Sequence, residues 1–266
     1  MLEHPMNQAA GLLDLTPEPQ TRLVALVSHG DAAAELPLLL RLCSALVSLG
    51  FPVTVLDGTA KESDDNPGLE QLLNYSAPPA ASSEGATWSV IPALYGLQML
   101  STGQDASADK LQDCAWLFPH DSVAIVYATA ATVVDLFGET SVRPVLAVST
   151  GKSSLLTGYL ALKRLLLKGK LSPMVVNFTG SASPGLRSPV GKPAGVGLQD
   201  YAKYFLNYDV ILFSVAASRS NDTADHPVER LALGWLESAV QLKHRWSPAL
   251  HCTTGAFQPN TMAGRH

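Results

Sequence analysis

Short apolar runs alternate with segments of helical spacing from residue 22 to residue 246. Runs such as Arg22–Val27 (RLVALV) are typical of strands buried on both faces of a parallel sheet. Strands that alternate with helices pair in parallel and are covered by helices on both faces. The sequence therefore predicts a single α/β domain with a doubly wound, mostly parallel sheet, whose ligands would bind at the carboxyl ends of the strands.

The predicted elements follow this order along the chain. The strands are Arg22–Val27, Pro52–Asp57, Thr87–Ile91, Val123–Ala128, Pro144–Ser149, Pro173–Phe178 and Asp209–Val215. The helices are Leu36–Leu49, Ala106–Leu117, Ser153–Leu167, Leu198–Leu206 and a closing helix at Val228–Trp246. Pro17 and Pro19 break any helix ahead of the first strand. We divide the chain into an N-terminal segment and linker (1–20), an α/β domain (21–246) and a flexible C-terminal tail (247–266).

Composition excludes several classes of protein. The chain has 266 residues, of which 47% are hydrophobic and 15% charged, so it can bury a sizeable core, and its net charge of −5 argues against electrostatic binding to nucleic acid. The three cysteines form no CxxC pair and the seven histidines no metal spacing, so we expect no metal site and a reducing cytoplasm. No run reaches the roughly 18 apolar residues of a membrane span, and no secretory signal is visible.

Several segments resemble one family of nucleotide-binding proteins. These are residues 40–58 (LRLCSALVSLGFPVTVLDG), 152–163 (KSSLLTGYLALK) and Val175–Asn177 (VVN). In pattern and order they resemble the first helix and second strand, a later helix and a later strand of MinD/ParA-type P-loop ATPases. Residues 89–99 resemble the third-strand region of the FlhG (FleN) flagellar-number branch. The resemblance spans roughly residues 22–246 and implies a nucleotide site between the first strand and the first helix.

The loop at that place departs from the family pattern. A P-loop needs glycines whose backbone N–H groups hold phosphates, a lysine, and a Ser or Thr for Mg²⁺. Here the lysine position falls on Glu35, the following threonine position on Leu36, and an earlier signature lysine near His29 or Gly30. Further along, the resemblance places the family's aspartate at Asp57, its second aspartate at Thr59, its Walker B aspartate at Tyr127 and its adenine-side asparagine at Asn177.

These replacements oppose the binding of a nucleotide. Two unit charges about 4 Å apart interact by roughly 4 kcal/mol at an effective dielectric constant near 20, so exchanging a lysine for Glu35 turns attraction into repulsion. Without the groups on the Mg²⁺ side, the charge of a triphosphate is not offset. We therefore expect a pseudo-ATPase with no catalytic residues, and with ATP and Mg²⁺ as cofactors only if the altered site still works. The simplest interpretation of the loop is a helix cap, with Asp31 near the positive end of the helix.

A second phosphate-loop-like string lies at residues 149–154 (STGKSS). It contains Gly151, Lys152 and Ser153, but the glycine of a Walker A motif is replaced by Leu146, so the motif is incomplete. A helix cap by Ser153 explains the serine. A weak anion site at this helix N-terminus is the alternative.

The N-terminal segment carries the most specific functional hypothesis. The string at 7–12, comprising Asn7, Gln8, Ala9, Ala10, Gly11 and Leu12, resembles the D-Q-A-x-x-L-R segment with which FlhG proteins stimulate the SRP-type GTPase FlhF. The resemblance implies that Gln8 helps organise the GTP-hydrolysing site, while Ala9 and Leu12 supply an apolar face. Asn7 replaces the family's Asp and Leu13 its Arg. The alternative is a tail that contains these residues by chance.

The leading hypothesis is an FlhG-like regulator of flagellum number or placement that binds FlhF, in the cytoplasm or peripherally at the cell pole or inner membrane. The alternatives are a BcsQ-like accessory protein of cellulose secretion and an active MinD-like ATPase with a rearranged loop. Family members also dimerise across ATP and attach to membranes through a C-terminal amphipathic helix. Because the site lacks its lysines and residues 247–266 show no clear apolar stripe, homodimer formation and membrane contact stay open.

Overall fold

The computed structural model of the protein describes residues 20–75, 88–102, 111–179, 194–216 and 226–244. Its strands are β1 (Gln20–Ser28), β2 (Val53–Asp57), β3 (Trp88–Pro92), β4 (Val123–Thr129), β5 (Val145–Val148), β6 (Met174–Thr179), β7 (Ile211–Ala216) and β8 (Val240–Lys243). They form one eight-stranded sheet in the order β3-β2-β4-β1-β5-β6-β7. All neighbours in this order are parallel, whereas β8 pairs antiparallel with β1. The predicted α/β fold with a mostly parallel sheet is confirmed.

Helices cover both faces of the sheet. They are α1 (Ala32–Ser48), α2 (Leu69–Tyr75), α3 (Leu94–Ser101), α4 (Ala130–Phe137), α5 (Lys152–Leu167), α6 (Ala194–Leu206) and α7 (His226–Glu237). Along β1 the side chains alternate, so that Leu23, Ala25 and Val27 pack into one core and Val24 and Leu26 into the other. Helices α1 and α7 cover the second core, and α3 to α6 cover the first. A strand that contributes to both cores must be apolar throughout, which explains the continuous run that marks β1 in the sequence.

The closing helix predicted at Val228–Trp246 is wrong in its second half. Helix α7 ends at Glu237, and β8 then pairs with the first residues of β1. In β8, Leu242 is buried while Gln241 and Lys243 are exposed, which is the alternation of a strand. His244, which follows, lies 2.9 Å (Nε2 to Oγ1) from Thr21.

Smaller differences concern the ends of the elements. β1 begins at Gln20, inside the segment that we assigned to the linker, and α2, α3 and α4 were not predicted. Of the helix expected at Ala106–Leu117, residues 106–110 lie outside the described part, and Ala115–Leu117 forms a 3-10 turn. Asn7, Gln8, Ala9 and Leu12 and the tail at 247–266 also lie outside it.

Two properties bear on the expectations from composition. No helix within the described ranges is both long and apolar enough to cross a bilayer. In the same ranges, no three His, Cys, Asp or Glu side chains are grouped so that they could hold a metal ion. Cys43 and Cys114 are buried, and loss of hydration raises the pKa of these thiols to about 12 and about 11.

Candidate functional site

The loop between β1 and α1 crosses the carboxyl end of the central strand. Gly30 has φ +91°, a left-handed conformation that glycine adopts without steric cost. Asp31 then occupies the N-cap position of α1. This turn directs the backbone N–H groups of His29 and Asp31 toward one point, as in the concave anion-binding loops called nests.

The side chain at that point is Glu35, which lies one turn into α1. One carboxylate oxygen accepts the backbone N–H groups of His29 (2.9 Å) and Asp31 (2.8 Å). The other accepts the hydroxyl groups of Ser28 (3.0 Å) and Tyr127 (2.6 Å). Glu35 is 1% exposed. The β1–α1 loop therefore holds an anion, and this anion is the carboxylate of its own chain.

Tyr127 lies in β4, at the position where the resemblance places an aspartate. Parallel pairing aligns it with Leu26 of β1 on one side and with Asp57 of β2 on the other. Burial, followed by the hydrogen bond to Glu35, raises the pKa of Tyr127 well above its usual value. The phenol thus stays protonated and donates a hydrogen bond to Glu35.

Asp31 occupies the N-cap position at the positive end of α1, where the sequence placed it, but its side chain makes no capping hydrogen bond. Its carboxylate instead reaches the start of α5, where it accepts the backbone N–H of Ser149 (2.8 Å) and the hydroxyl of Ser154. Burial opposes ionisation of Asp31, but the hydrogen bonds from Ser154 and Ser149 outweigh it and hold its pKa below the usual value. The Asp31 carboxylate is thus the second carboxylate of the loop that is held by hydrogen-bond donors, here those of Ser149 and Ser154.

His29 fixes the other side of the loop. Its Nε2 lies 2.6 Å from the carbonyl oxygen of Ala147 and its Nδ1 2.8 Å from the hydroxyl of Thr157. A carbonyl oxygen only accepts, so Nε2 carries a hydrogen. Nε2 also lies 3.7 Å from a Glu35 carboxylate oxygen. An imidazole thus stands near the place where the resemblance puts the earlier lysine.

The remaining predicted positions are either exposed to solvent or hydrogen-bonded to groups of this chain. Leu36 is 46% exposed and faces away from the loop. Thr59 donates its backbone N–H (2.9 Å) and its hydroxyl (2.6 Å) to Asp57. Asn177 is buried, and its side-chain oxygen accepts the backbone N–H of Gly195 (3.2 Å) at the start of α6. Gly30, Glu35 and Tyr127 come together in one site with Asp57 beside it, whereas Asn177 serves the β6–α6 connection.

The string at 149–154 also differs from its prediction. Gly151, not Ser153, is the N-cap of α5, and Gly151, Lys152 and Ser153 are all exposed. The nearby N–H of Ser149 already binds Asp31. Sequence reasoning did not single out Ser154, whose only signal is a small polar residue at a position of α5 that faces the sheet.

The charged groups at the loop are carboxylates of this chain, and the nearby backbone N–H groups already bind them. Residues 28–36 contain no lysine or arginine. A phosphate placed among the N–H groups of His29 and Asp31 would have to displace the Glu35 carboxylate and would then lie near a second carboxylate, that of Asp31. The residues present therefore do not match the requirements of Mg-ATP.

Comparisons with known proteins agree on the fold. No family model and no curated protein matches the chain. Among solved structures it is similar to the MinD cell division protein of Aquifex aeolicus (TM-score 0.53, 12% identity, 84% of this chain and 100% of that chain). It is also similar to a chain of the MinC:MinD complex from the same organism (TM-score 0.54, 11% identity, 84% and 99%). A third similar structure is the cobyrinic acid a,c-diamide synthase of Mycobacterium smegmatis with bound ADP and magnesium (TM-score 0.51, 13% identity, 82% and 94%). The chain thus has the fold of the MinD/ParA-type P-loop ATPases.

Proposed function

We propose that this chain is a pseudo-ATPase of the FlhG type, a binding and regulatory protein with a P-loop fold that does not hydrolyse ATP. The observation that carries this proposal is the Glu35 carboxylate, which accepts four hydrogen bonds from the loop and from Tyr127. Hydrogen bonds to charged groups contribute about 1.5–3 kcal/mol each, so displacing this carboxylate would cost several kcal/mol. Each 1.4 kcal/mol weakens binding about tenfold, which removes ATP affinity at cellular concentrations.

Calorimetric titration of the full chain with Mg-ATP, together with a phosphate-release assay, tests this part of the proposal. We expect no saturable binding up to about 1 mM and no phosphate release above the buffer rate. A MinD-type ATPase measured alongside controls for both assays. Submicromolar affinity with turnover would instead establish an active ATPase with a rearranged loop.

We further propose that the N-terminal segment binds an SRP-type GTPase of the FlhF class and stimulates it through Gln8, assisted by Asn7, Ala9 and Leu12. Support comes from the resemblance of this segment to that of FlhG proteins and from its place directly ahead of a domain with the MinD fold. A glutamine can orient the attacking water in a GTPase site. Such a protein would work in the cytoplasm, or peripherally at the cell pole or inner membrane, in flagellar placement or number.

The partner role is tested with the full chain and its cognate FlhF by measuring GTP hydrolysis. We expect the wild type to stimulate hydrolysis and Gln8→Ala to lose most of the stimulation. Gln20→Ala is the matched control, because Gln20 is the next glutamine along the chain and lies in β1. If Gln8→Ala stimulates as well as the wild type, or if neither stimulates, this role is wrong.

A further inference from the structure

The outer face of α5 and α6 carries a dense group of exposed apolar side chains. On α5, Leu156 and Leu160 are 62% and 57% exposed, and on α6, Tyr204 and Phe205 are 83% and 62% exposed. The rings of Tyr204 and Phe205 contact each other with centroids 4.9 Å apart. Single exposed apolar residues are ordinary, but a contiguous group marks a surface that another structure covers.

A groove runs between the two helices within this group. It encloses about 410 Å³ and is lined by Lys152, Leu155, Leu156, Tyr159, Tyr201 and Phe205. Its floor is apolar and aromatic, and Tyr159 and Tyr201 meet edge to face with centroids 6.4 Å apart. We call this surface the α5–α6 groove. Its shape suits a short segment that offers a few apolar side chains.

The charged residues of α5 and α6 indicate which kind of segment the α5–α6 groove would bind. Helices α5 and α6 together carry four basic residues, Lys152, Lys163, Arg164 and Lys203, and one acidic residue, Asp200, although the whole chain has a net charge of −5. Lys163 of α5 and Lys168, the residue directly after that helix, are exposed, and within the described ranges they form no ion pair. Two copies of the chain that met through this face would bring like charges together. The groove therefore favours an acidic occupant with apolar side chains.

The chain carries such a segment at its N-terminus. Residues 1–19 contain three acidic residues, Glu3, Asp14 and Glu18, with no Lys or Arg, and four leucines. We propose that this segment docks in the α5–α6 groove of its own chain, with its leucines against the aromatic floor and its carboxylates toward the cations of α5. The proposal does not depend on the GTPase role. If that role holds, docking withholds Gln8 from the partner and is a built-in regulation of it.

The segment is long enough to reach the groove. Residue 20 begins β1 at the amino edge of the sheet, and α6 ends near the same edge because it leads into the parallel strand β7. β6 is two strands away from β1, which is about 10 Å across the sheet. The outer face of a helix that packs on the sheet lies roughly a further 15 Å above it. The eight residues from Leu12 to Gln20 span up to about 26 Å when extended, so Leu12 and Leu13 can reach Tyr204 and Phe205.

Photo-crosslinking within the full chain tests this docking. The photoreactive p-benzoylphenylalanine replaces Tyr204, and after irradiation of dilute protein the crosslinked peptides of the monomer are identified by mass spectrometry. The control carries the same group at Leu233, which is 49% exposed on α7 on the opposite face of the sheet. We expect crosslinks from position 204 to residues 1–19, and none from position 233.

Charge reversal supplies a second readout. Asp14→Lys with Glu18→Lys should lower the yield of this crosslink about two-fold or more, because each exposed ion pair contributes only a small free energy. Adding Lys163→Glu and Lys168→Glu should restore it. The proposal is overturned if position 204 does not crosslink to residues 1–19 or if it crosslinks mainly to a second copy. It is also overturned if the chain binds anionic vesicles through this face while position 204 forms no crosslink to residues 1–19. None of these measurements involves the GTPase, so either proposal can fail alone.

Discussion

At the scale of single residues, Glu35 decides what the β1–α1 loop can hold. It lies in the first turn of α1, where side chains point back toward the helix N-terminus. That direction brings the carboxylate onto the N–H groups of His29 and Asp31. The same residue therefore holds the turn, and in our proposal it also excludes a phosphate from it.

Glu35→Ala should lower the free energy of unfolding by about 2–4 kcal/mol, because it leaves buried donors without an acceptor. Glu35→Gln should cost about 1 kcal/mol, since its amide oxygen can still accept the two backbone N–H groups while the hydroxyls of Ser28 and Tyr127 rotate to accept from its NH₂. Urea unfolding of the two variants and the wild type measures both values. Equal stability of all three would show that the carboxylate does not hold the loop.

Removing this side chain should also uncover an anion site. We expect about 20 mM sulfate to raise the Tm of Glu35→Ala more than that of the wild type, because an ion that binds only the folded state stabilises it. Sulfate stabilises proteins in general through exclusion from their surface, so the quantity to compare is the difference between variants. An equal rise in both proteins would contradict a preformed anion site.

Tyr127 should make this site sensitive to alkaline pH. The folded state holds the phenol proton more tightly than the unfolded chain does, because the pKa of Tyr127 is raised by burial and by Glu35. The stability it contributes is therefore present below pH about 10 and is lost as the pH rises above that value. Tyr127→Phe should cost about 1–2 kcal/mol at neutral pH and flatten the decline above pH 10. Tyr95→Phe, a change at an exposed residue of α3, is the control and should leave the decline unchanged.

At the scale of elements, β8 completes the central strand. It pairs with the first four residues of β1 and places Leu242, which is 1% exposed, in the first core. Leu242→Ala should therefore cost about 2–5 kcal/mol, the usual loss for a truncated core leucine. Gln241→Ala, one residue earlier on the exposed face, should change stability by less than about 0.5 kcal/mol. Unfolding curves of the two variants test this assignment, which fails if their losses are equal.

The elements differ in how well the sequence predicts them. Strands β1, β4 and β6 stand out because both of their faces are buried, so each is a continuous apolar run. β8 was missed because four residues of alternation directly follow a strongly helical segment, and helix and strand patterns overlap over so short a length. At the site, comparison with the family pattern placed Glu35 and Tyr127. The bond from Ser154 to Asp31 was missed because it joins residues that only the tertiary fold brings together.

At the scale of the whole molecule, the fold separates two surfaces. The carboxyl edge of the sheet, where the resemblance places a nucleotide site, is occupied by the side chains of Glu35 and Asp31. The outer face of α5 and α6 is cationic and apolar and is open to an occupant. This division of surfaces is what the proposed role, binding of partners without chemistry at the loop, requires.

The state of association should therefore be independent of nucleotide. Proteins of the resembled family dimerise across ATP, which requires phosphates in both loops and lysines to meet them. If Glu35 excludes phosphate from the loop, as we propose, Mg-ATP has no greater affinity for a dimer than for a monomer, and a ligand without differential affinity shifts no equilibrium. Sedimentation velocity at about 20 μM protein should give the same profile with and without 2 mM Mg-ATP. A larger species that forms only with Mg-ATP would show that nucleotide enters the loop. It would contradict the proposal that this chain does not bind ATP.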